Sequence, residues 1–278
     1  MTRLCKELHV WKINVNSFEE KPLPDFFFSS DNDLKLTFPH KMLKPIQEDA
    51  LEKYADRIIG IDVRSYEHFK FVRGSWLKHI LRLQSLAVRD REYHWEGKYK
   101  HLSYLLYRNR ESIQELFLND IWPGKFLKVT CKFEKLTKLH IVFHPDTVWW
   151  SSVVPFMNNC PNLVDLKLHG IADLSTNETV ITPHPKIKYL DLYKSCEMRR
   201  KKDAAYIRDI MMACKGSLEN LKLRAFPEEL KSIRKLDWYL PYVKTAEICT
   251  YAPLEIANAP LEKEYWIRHF NENVKIII

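Results

Sequence analysis

The stretch "PNLVDLKLHG" at residues 161–170 places Leu163, Leu166 and Leu168 at spacings of three and two. That pattern suits neither an amphipathic helix, whose apolar residues recur every three or four positions, nor a long half-buried strand with strict alternation. It suits a leucine that enters a core as the chain turns, followed by a short strand whose alternate residues point inward. The triplet recurs as "IIGIDV" from Ile58, "LQSLAV" from Leu83, "IQELFL" from Ile113, "LTKLHI" from Leu136, "LVDLKL" from Leu163, "IKYLDL" from Ile187, "LENLKL" from Leu218 and, more weakly, "VKTAEI" from Val243. The closest successive starts are 113 and 136 and the most distant are 187 and 218, a period of 23 to 31 residues that marks stacked repeats.

Between the triplets lie segments with helical patterning: "SYEHFKFVRGSWLKHI", "HLSYLLYRNR", "DTVWWSSVVPFMNNC", "DAAYIRDIMMAC" and "PEELKSIRKLDWYLP". Asp146 is placed to cap the third of these, Trp149 and Trp150 to cover the sheet from it, and Pro161 to stop the chain before the next strand. Each unit then reads as strand, loop, helix, and none can bury its apolar side alone. The expected fold is an α/β solenoid, a parallel concave sheet with helices on the convex side.

On these triplets the chain resembles the leucine-rich-repeat family, in particular the longer strand-plus-helix repeats of ribonuclease-inhibitor-like and F-box-associated arrays. The resemblance covers residues 58–248. Family repeats continue with Asn or Cys three residues after the third apolar position; here those positions hold Tyr66, Arg91, Ile121, His144, Ile171, Ser195, Phe226 and Tyr251. The missing ladder implies irregular repeats whose curvature is not the family's. The organisation expected is one solenoid over residues 1–278, with 1–57 as an N-terminal cap or degenerate repeats ("VWKINV" and "LKLTF" read as strands) and 249–278 as a C-terminal cap, a helix and then a strand. "LCKELHVWKINV" is faintly similar to the segment that follows an F-box, but "LPDFFF" is followed by turn and strand character, so no F-box is expected within this chain.

Composition narrows the chemistry. The 278 residues are 46% hydrophobic, enough for a sizeable core, and the N-terminal stretch is too charged for a signal peptide. No run of about 18 apolar residues occurs, so no membrane contact is expected. Six cysteines are scattered without a C-x-x-C pair, which fits reduced thiols and a cytoplasmic or nuclear location. Only six glycines are present, and no phosphate-cradling loop, G-x-S-x-G or H-E-x-x-H motif occurs. His140 and His144 lie on one strand face but too far apart to share a metal comfortably. No enzyme activity, cofactor or metal is therefore expected. "MRRKKD" at 198–203 reads as a solvated loop or a nuclear-localisation patch, and "NET" at 177–179 is a formal glycosylation acceptor.

In a solenoid the partner meets the concave strands, at positions two, four and six after the first apolar residue. Those 24 positions hold six Lys or Arg and five Asp or Glu, although the whole chain carries +8. A face that follows phosphates would concentrate positive charge, so nucleic acid is the lesser expectation there. Mixed charge with aromatics resembles a protein interface. The residues expected to read a partner are Arg64, Arg89, Phe117, Asn119, His140, Lys167, His169, Tyr189, Asp191, Tyr193, Lys222 and Arg224. The expected function is non-enzymatic recognition of another protein. The family resemblance implies the substrate-reading array of an F-box-like ubiquitin-ligase receptor, with cullin-ligase adaptor subunits as further partners. The alternative is a nucleic-acid-binding or nuclear scaffold protein that uses basic helix and loop surfaces.

Overall fold

A computed structural model describes residues 10–14, 33–38, 51–63, 76–89, 100–121, 131–143, 150–171, 181–194, 204–250 and 264–277. The chain divides into two compact units, Met1–Asp120 and Ile121–Ile278. Arg64, His144, Asp146, Trp149, "LPDFFF", "NET" and "MRRKKD" lie outside the described residues.

The first unit carries β1 (Val10–Asn14), β2 (Asp33–Phe38), β3 (Ile58–Val63), β4 (Ser85–Arg89) and β5 (Glu115–Ile121), each parallel to the next in chain order. Its helix α1 spans Lys100–Arg108, and short 3-10 turns occupy Ala55–Arg57 and Trp76–His79. "VWKINV" and "LKLTF" thus join the parallel ladder as strands. The helix expected across "SYEHFKFVRGSWLKHI" ends, in its described part, as the four-residue 3-10 turn Trp76–His79.

The second unit contains β6 (Lys138–Phe143), β7 (Asp165–Ile171), β8 (Tyr189–Lys194), β9 (Asn220–Ala225), β10 (Thr245–Thr250) and β11 (Lys275–Ile277), again parallel and in order. Helices α2 (Trp150–Asn158), α3 (Ala204–Ala213), α4 (Pro227–Lys235) and α5 (Glu264–Ile267) connect them, with α3 and α4 side by side. The fold is α/β with parallel strands and few helices, compatible with a solenoid-like arrangement.

The core explains the triplets. All three apolar positions of all eight copies, from Ile58, Ile61 and Val63 to Val243, Ala246 and Ile248, are at most 2% exposed. Parallel sheets usually bury both faces, which gives continuous apolar strands. Here the strands alternate, and the described helices add buried residues such as Leu105, Phe156, Ile210 and Ile233 to the core. Register follows from this pattern, since a one-residue slip would carry every leucine to the polar face.

A ladder of backbone hydrogen bonds joins the residues that precede the strands. In the first unit Gln84 O accepts the N–H groups of Gln114 (2.8 Å) and Glu115 (3.0 Å). In the second, Thr137 O accepts from Val164 and Asp165, Val164 O from Lys188 and Tyr189, Lys188 O from Glu219 and Asn220, and Glu219 O from Lys244 and Thr245. Side chains reinforce it: Ser112 Oγ donates to Leu83 O at 2.8 Å, Ser217 Oγ to Ile187 O at 2.7 Å, and Asn162 Nδ2 to Glu134 O at 2.6 Å. Each of these side chains sits one residue before its triplet and gives a turn carbonyl of the preceding repeat a donor as the chain enters the strand. Gly170 ends the opening stretch at φ 76°, where the register of β7 against β8 shifts; a Cβ there would lie 2.6 Å from Phe143 O. Only glycine fits both the backbone angle and that close approach.

At the far end of the second unit Trp238 stacks on His269, with ring centroids 3.9 Å apart and planes at 10°, while Trp266 and Phe270 pack around the pair. The Trp238 indole N–H donates to Ile233 O at 2.9 Å, which satisfies the polar atom of a buried ring.

Candidate functional site

Strand alternation turns the residues between the leucines away from the core. In the second unit the registers of β6 to β10 align them in three rows across five strands. The first row is Lys138, Asp165, Tyr189, Asn220 and Thr245. The middle row is His140, Lys167, Asp191, Lys222 and Glu247, and the last is Val142, His169, Tyr193, Arg224 and Cys249. Neighbours within a row lie on strands about 4.8 Å apart, so adjacent side chains compete for the same space and charge.

The two histidines lean diagonally across this grid. His140 Nε2 and His169 Nδ1 approach to 3.3 Å, with their rings edge to face at 4.6 Å. His169 Nε2 then lies 3.3 Å from Asp191 Oδ2, an ion-pair distance without the alignment of a good hydrogen bond. Tyr193 packs its ring edge-on to His169 at 5.5 Å. When His140 Nε2–H donates to His169 Nδ1, the His169 proton is left on Nε2, on the side of the Asp191 carboxylate.

Asp191 corrects the expectation that its row is exposed, because it is only 5% exposed. The cover is supplied by neighbours such as His169, which reaches down from the row above. Burial alone would raise the carboxyl's pKa, but the His169 contact and the charges of His169, Arg224 and Lys222 outweigh it and hold the group below the usual carboxylate range. Its Oδ1 is buried and has no hydrogen-bond partner among the described residues.

The remaining charges are largely matched within the face. Lys167 turns to the first row, 5.1 Å over the Tyr189 ring and 3.9 Å from Asp165 Oδ2. Burial, with Asp191 next in effect, pushes the Tyr189 phenol up. Lys222 is paired with Glu247, whose carboxyl is held low chiefly by that hydrogen bond. The Cys249 thiol donates to Glu247 at 3.4 Å and is pushed up by burial and then by Glu247, which keeps it protonated. Arg224 is half-buried and makes no hydrogen bond or ion pair among the described residues; it acts on Asp191 and Glu247 through its charge only.

The first unit holds the other expected residues. Arg89 is exposed, donates from Nε to Asp62 Oδ1 at 3.1 Å, and lies 4.3 Å over the Phe117 ring. Asn119 is half-buried at the neighbouring position of β5. The Lys35 stem crosses Gly60, coming within 2.7 Å of where a Cβ would stand, and buries that glycine although its row is otherwise open. The side chains expected from the sequence thus fall as one set on each unit, with Arg64 outside the described residues. Asp165, Glu247 and Cys249 are not among them, although Asp165 partners Lys167, and Glu247 partners Lys222 and Cys249. The row positions were the available signal, since each omitted residue shares a row or a strand with its partner.

Among the described residues no helix is long and apolar enough to cross a membrane, and no group of three His, Cys, Asp or Glu side chains is placed to hold a metal ion. Each unit is thus α/β, with parallel strands in chain order whose alternate residues enter its core while those between them carry polar side chains. No family model matches the chain, and no curated protein matches it.

Proposed function

We propose that the chain is a leucine-rich-repeat-like solenoid whose polar strand face recognises another protein, without catalysis. The observation that carries this reading is the grid of the second unit. Aromatic rings, a guanidinium and matched ion pairs are held in fixed register on a rigid sheet, which lowers the ordering cost of a contact surface. Seven charged side chains of both signs stand on those 15 positions: Lys138, Lys167, Lys222 and Arg224 against Asp165, Asp191 and Glu247. Near-balance of this kind favours a protein surface over a phosphate backbone. By analogy with F-box-associated arrays, the partner is a substrate presented to a ubiquitin ligase, with cullin-ligase adaptor subunits as companions; that part of the reading rests on the resemblance alone. Affinity capture from the source cells followed by mass spectrometry, with wild type beside Phe117→Ala/Tyr193→Ala, tests it. Partners lost only from the folded double variant support the strand face. Partners retained at full yield by that variant remove it, and partners that depend on nucleic acid favour a nuclear scaffold instead.

A further inference from the structure

Among the described residues of the second unit's face, the cations find partners at every position but one. Lys167 has Asp165 and the Tyr189 ring, Lys222 has Glu247, and Asp191 has His169. Lys138 also makes contacts of its own. Arg224 alone among the described cations of this face reaches no acceptor, although it is half-buried in a strand flanked on both sides. A guanidinium carries five N–H donors in a rigid fork, and partial burial without an acceptor wastes the hydration it has lost. Of the carboxylates whose charges it feels, Asp191 turns Oδ2 to His169 and leaves Oδ1 without a hydrogen bond among the described residues, and Glu247 is engaged by Lys222 and Cys249. Its register neighbours are Tyr193, whose ring is braced against His169, and Cys249, whose thiol is turned to Glu247.

Resting on the protein-recognition reading, we infer that Arg224 is the anchor for a single Asp or Glu side chain on an extended segment of the partner, received bidentately beside the Tyr193 ring. A carboxylate is favoured over a phosphoryl group by charge. It brings one negative charge to one open guanidinium, whereas a phosphorylated residue brings nearly two to a place where Asp191 and Glu247 already stand. A nucleic acid would need a run of cations, and the neighbouring cations are already matched.

The test uses the full chain with fluorescein-labelled hexaglutamate, read by fluorescence anisotropy, with labelled hexaglutamine as the uncharged control. Inorganic phosphate and single-stranded oligothymidylate serve as competitors. Hexaglutamate is expected to bind and hexaglutamine to fail. Arg224→Met, which keeps the aliphatic stem, is expected to weaken hexaglutamate binding about ten- to a hundredfold. Arg224→Lys should restore only part of the affinity, because the fork is lost. Lys231→Ala on α4 should leave it unchanged, and circular dichroism checks that each variant is folded. Displacement by millimolar phosphate or by oligothymidylate more readily than by free glutamate would overturn the carboxylate assignment. Equal binding by Arg224→Met would overturn the anchor. If either occurs while Tyr193→Ala still abolishes capture of a cellular protein, the recognition face stands and only this inference falls; loss of both removes the face as well.

Discussion

Asn109 follows α1 and is 1% exposed, yet its amide is fully used. Oδ1 accepts the Leu83 N–H at 2.9 Å, and Nδ2 donates to Ile80 O and Leu105 O, each at 3.0 Å. Its backbone carbonyl also receives Ser112 N and Ile113 N at 2.9 and 3.0 Å, so the residue fastens the entrance of one triplet to that of the next. Asn109→Ala would leave Leu83 N–H and Ile80 C=O buried without these partners, while Leu105 O keeps its bond from Asn109 N. Two orphaned buried groups cost about 1–3 kcal/mol each, so a loss of roughly 2–6 kcal/mol is expected, a large part of a typical domain's 5–15 kcal/mol. Urea unfolding followed by circular dichroism measures the total, and native-state hydrogen exchange isolates the mechanism, since the Leu83 amide should exchange much faster in the variant. Asn109→Asp keeps the acceptor but loses both donors and buries a charge, so it should be no better tolerated than alanine. A change below about 0.5 kcal/mol in Asn109→Ala, within the range of ordinary surface substitutions, with Leu83 still protected, would refute the claim that this side chain joins the repeats.

Two further outcomes follow from backbone geometry and from buried imidazoles. Gly170→Ala must adopt φ near 76° against Phe143 O, so it should cost about 1–3 kcal/mol in urea unfolding, and an unchanged midpoint would show that the β7 end relaxes freely. Burial pushes His184 below the ordinary 6.5, and burial likewise lowers His269 despite the Trp238 and Arg234 carbonyls near its ring. The unfolded chain therefore takes up protons first as the solution is acidified. Stability is fully present above about pH 6.5 and is lost as pH falls from there through the depressed folded values. The urea midpoint should be lower at pH 5.5 than at 7.5, with a smaller drop in His184→Gln; an equal drop in wild type and variant would exclude that histidine as a source.

The strand frame was legible because burial is written directly into L-x-x-L-x-L. Leu163, Leu166 and Leu168 are buried for the reason their spacing suggests, and so are their counterparts down to Ala246, the weakest member of the series. Helices α2, α3 and α4 fall within the segments whose apolar periodicity announced them, and α1 begins one residue ahead of its own, at Lys100. The ladder was not legible. Ser112, Asn162 and Ser217 precede their triplets as ordinary turn residues, and nothing in a single residue's identity says that its hydroxyl or amide reaches a carbonyl 28 to 30 positions earlier. Nor could alternation alone foresee that His169 would reach diagonally to Asp191, because a row assignment gives direction and not side-chain length.

That diagonal is where fold and surface are coupled. The inward leucines and the carbonyl ladder hold each strand whatever stands between them, so most outward positions are free to change without cost to the core. Asp191 is different: it belongs to the polar face by register, yet it is buried, ionised and dependent on His169, Lys222 and Arg224 for compensation. Removing Arg224 would take away one of the charges that hold Asp191 ionised, so a carboxylate that docks on Arg224 must also compete with that influence. The same arrangement keeps the site selective. A weak or misplaced anion gains little over what Asp191 already draws from the guanidinium, whereas a well-aligned bidentate carboxylate gains two charge-assisted hydrogen bonds that Asp191, turned toward His169, does not make.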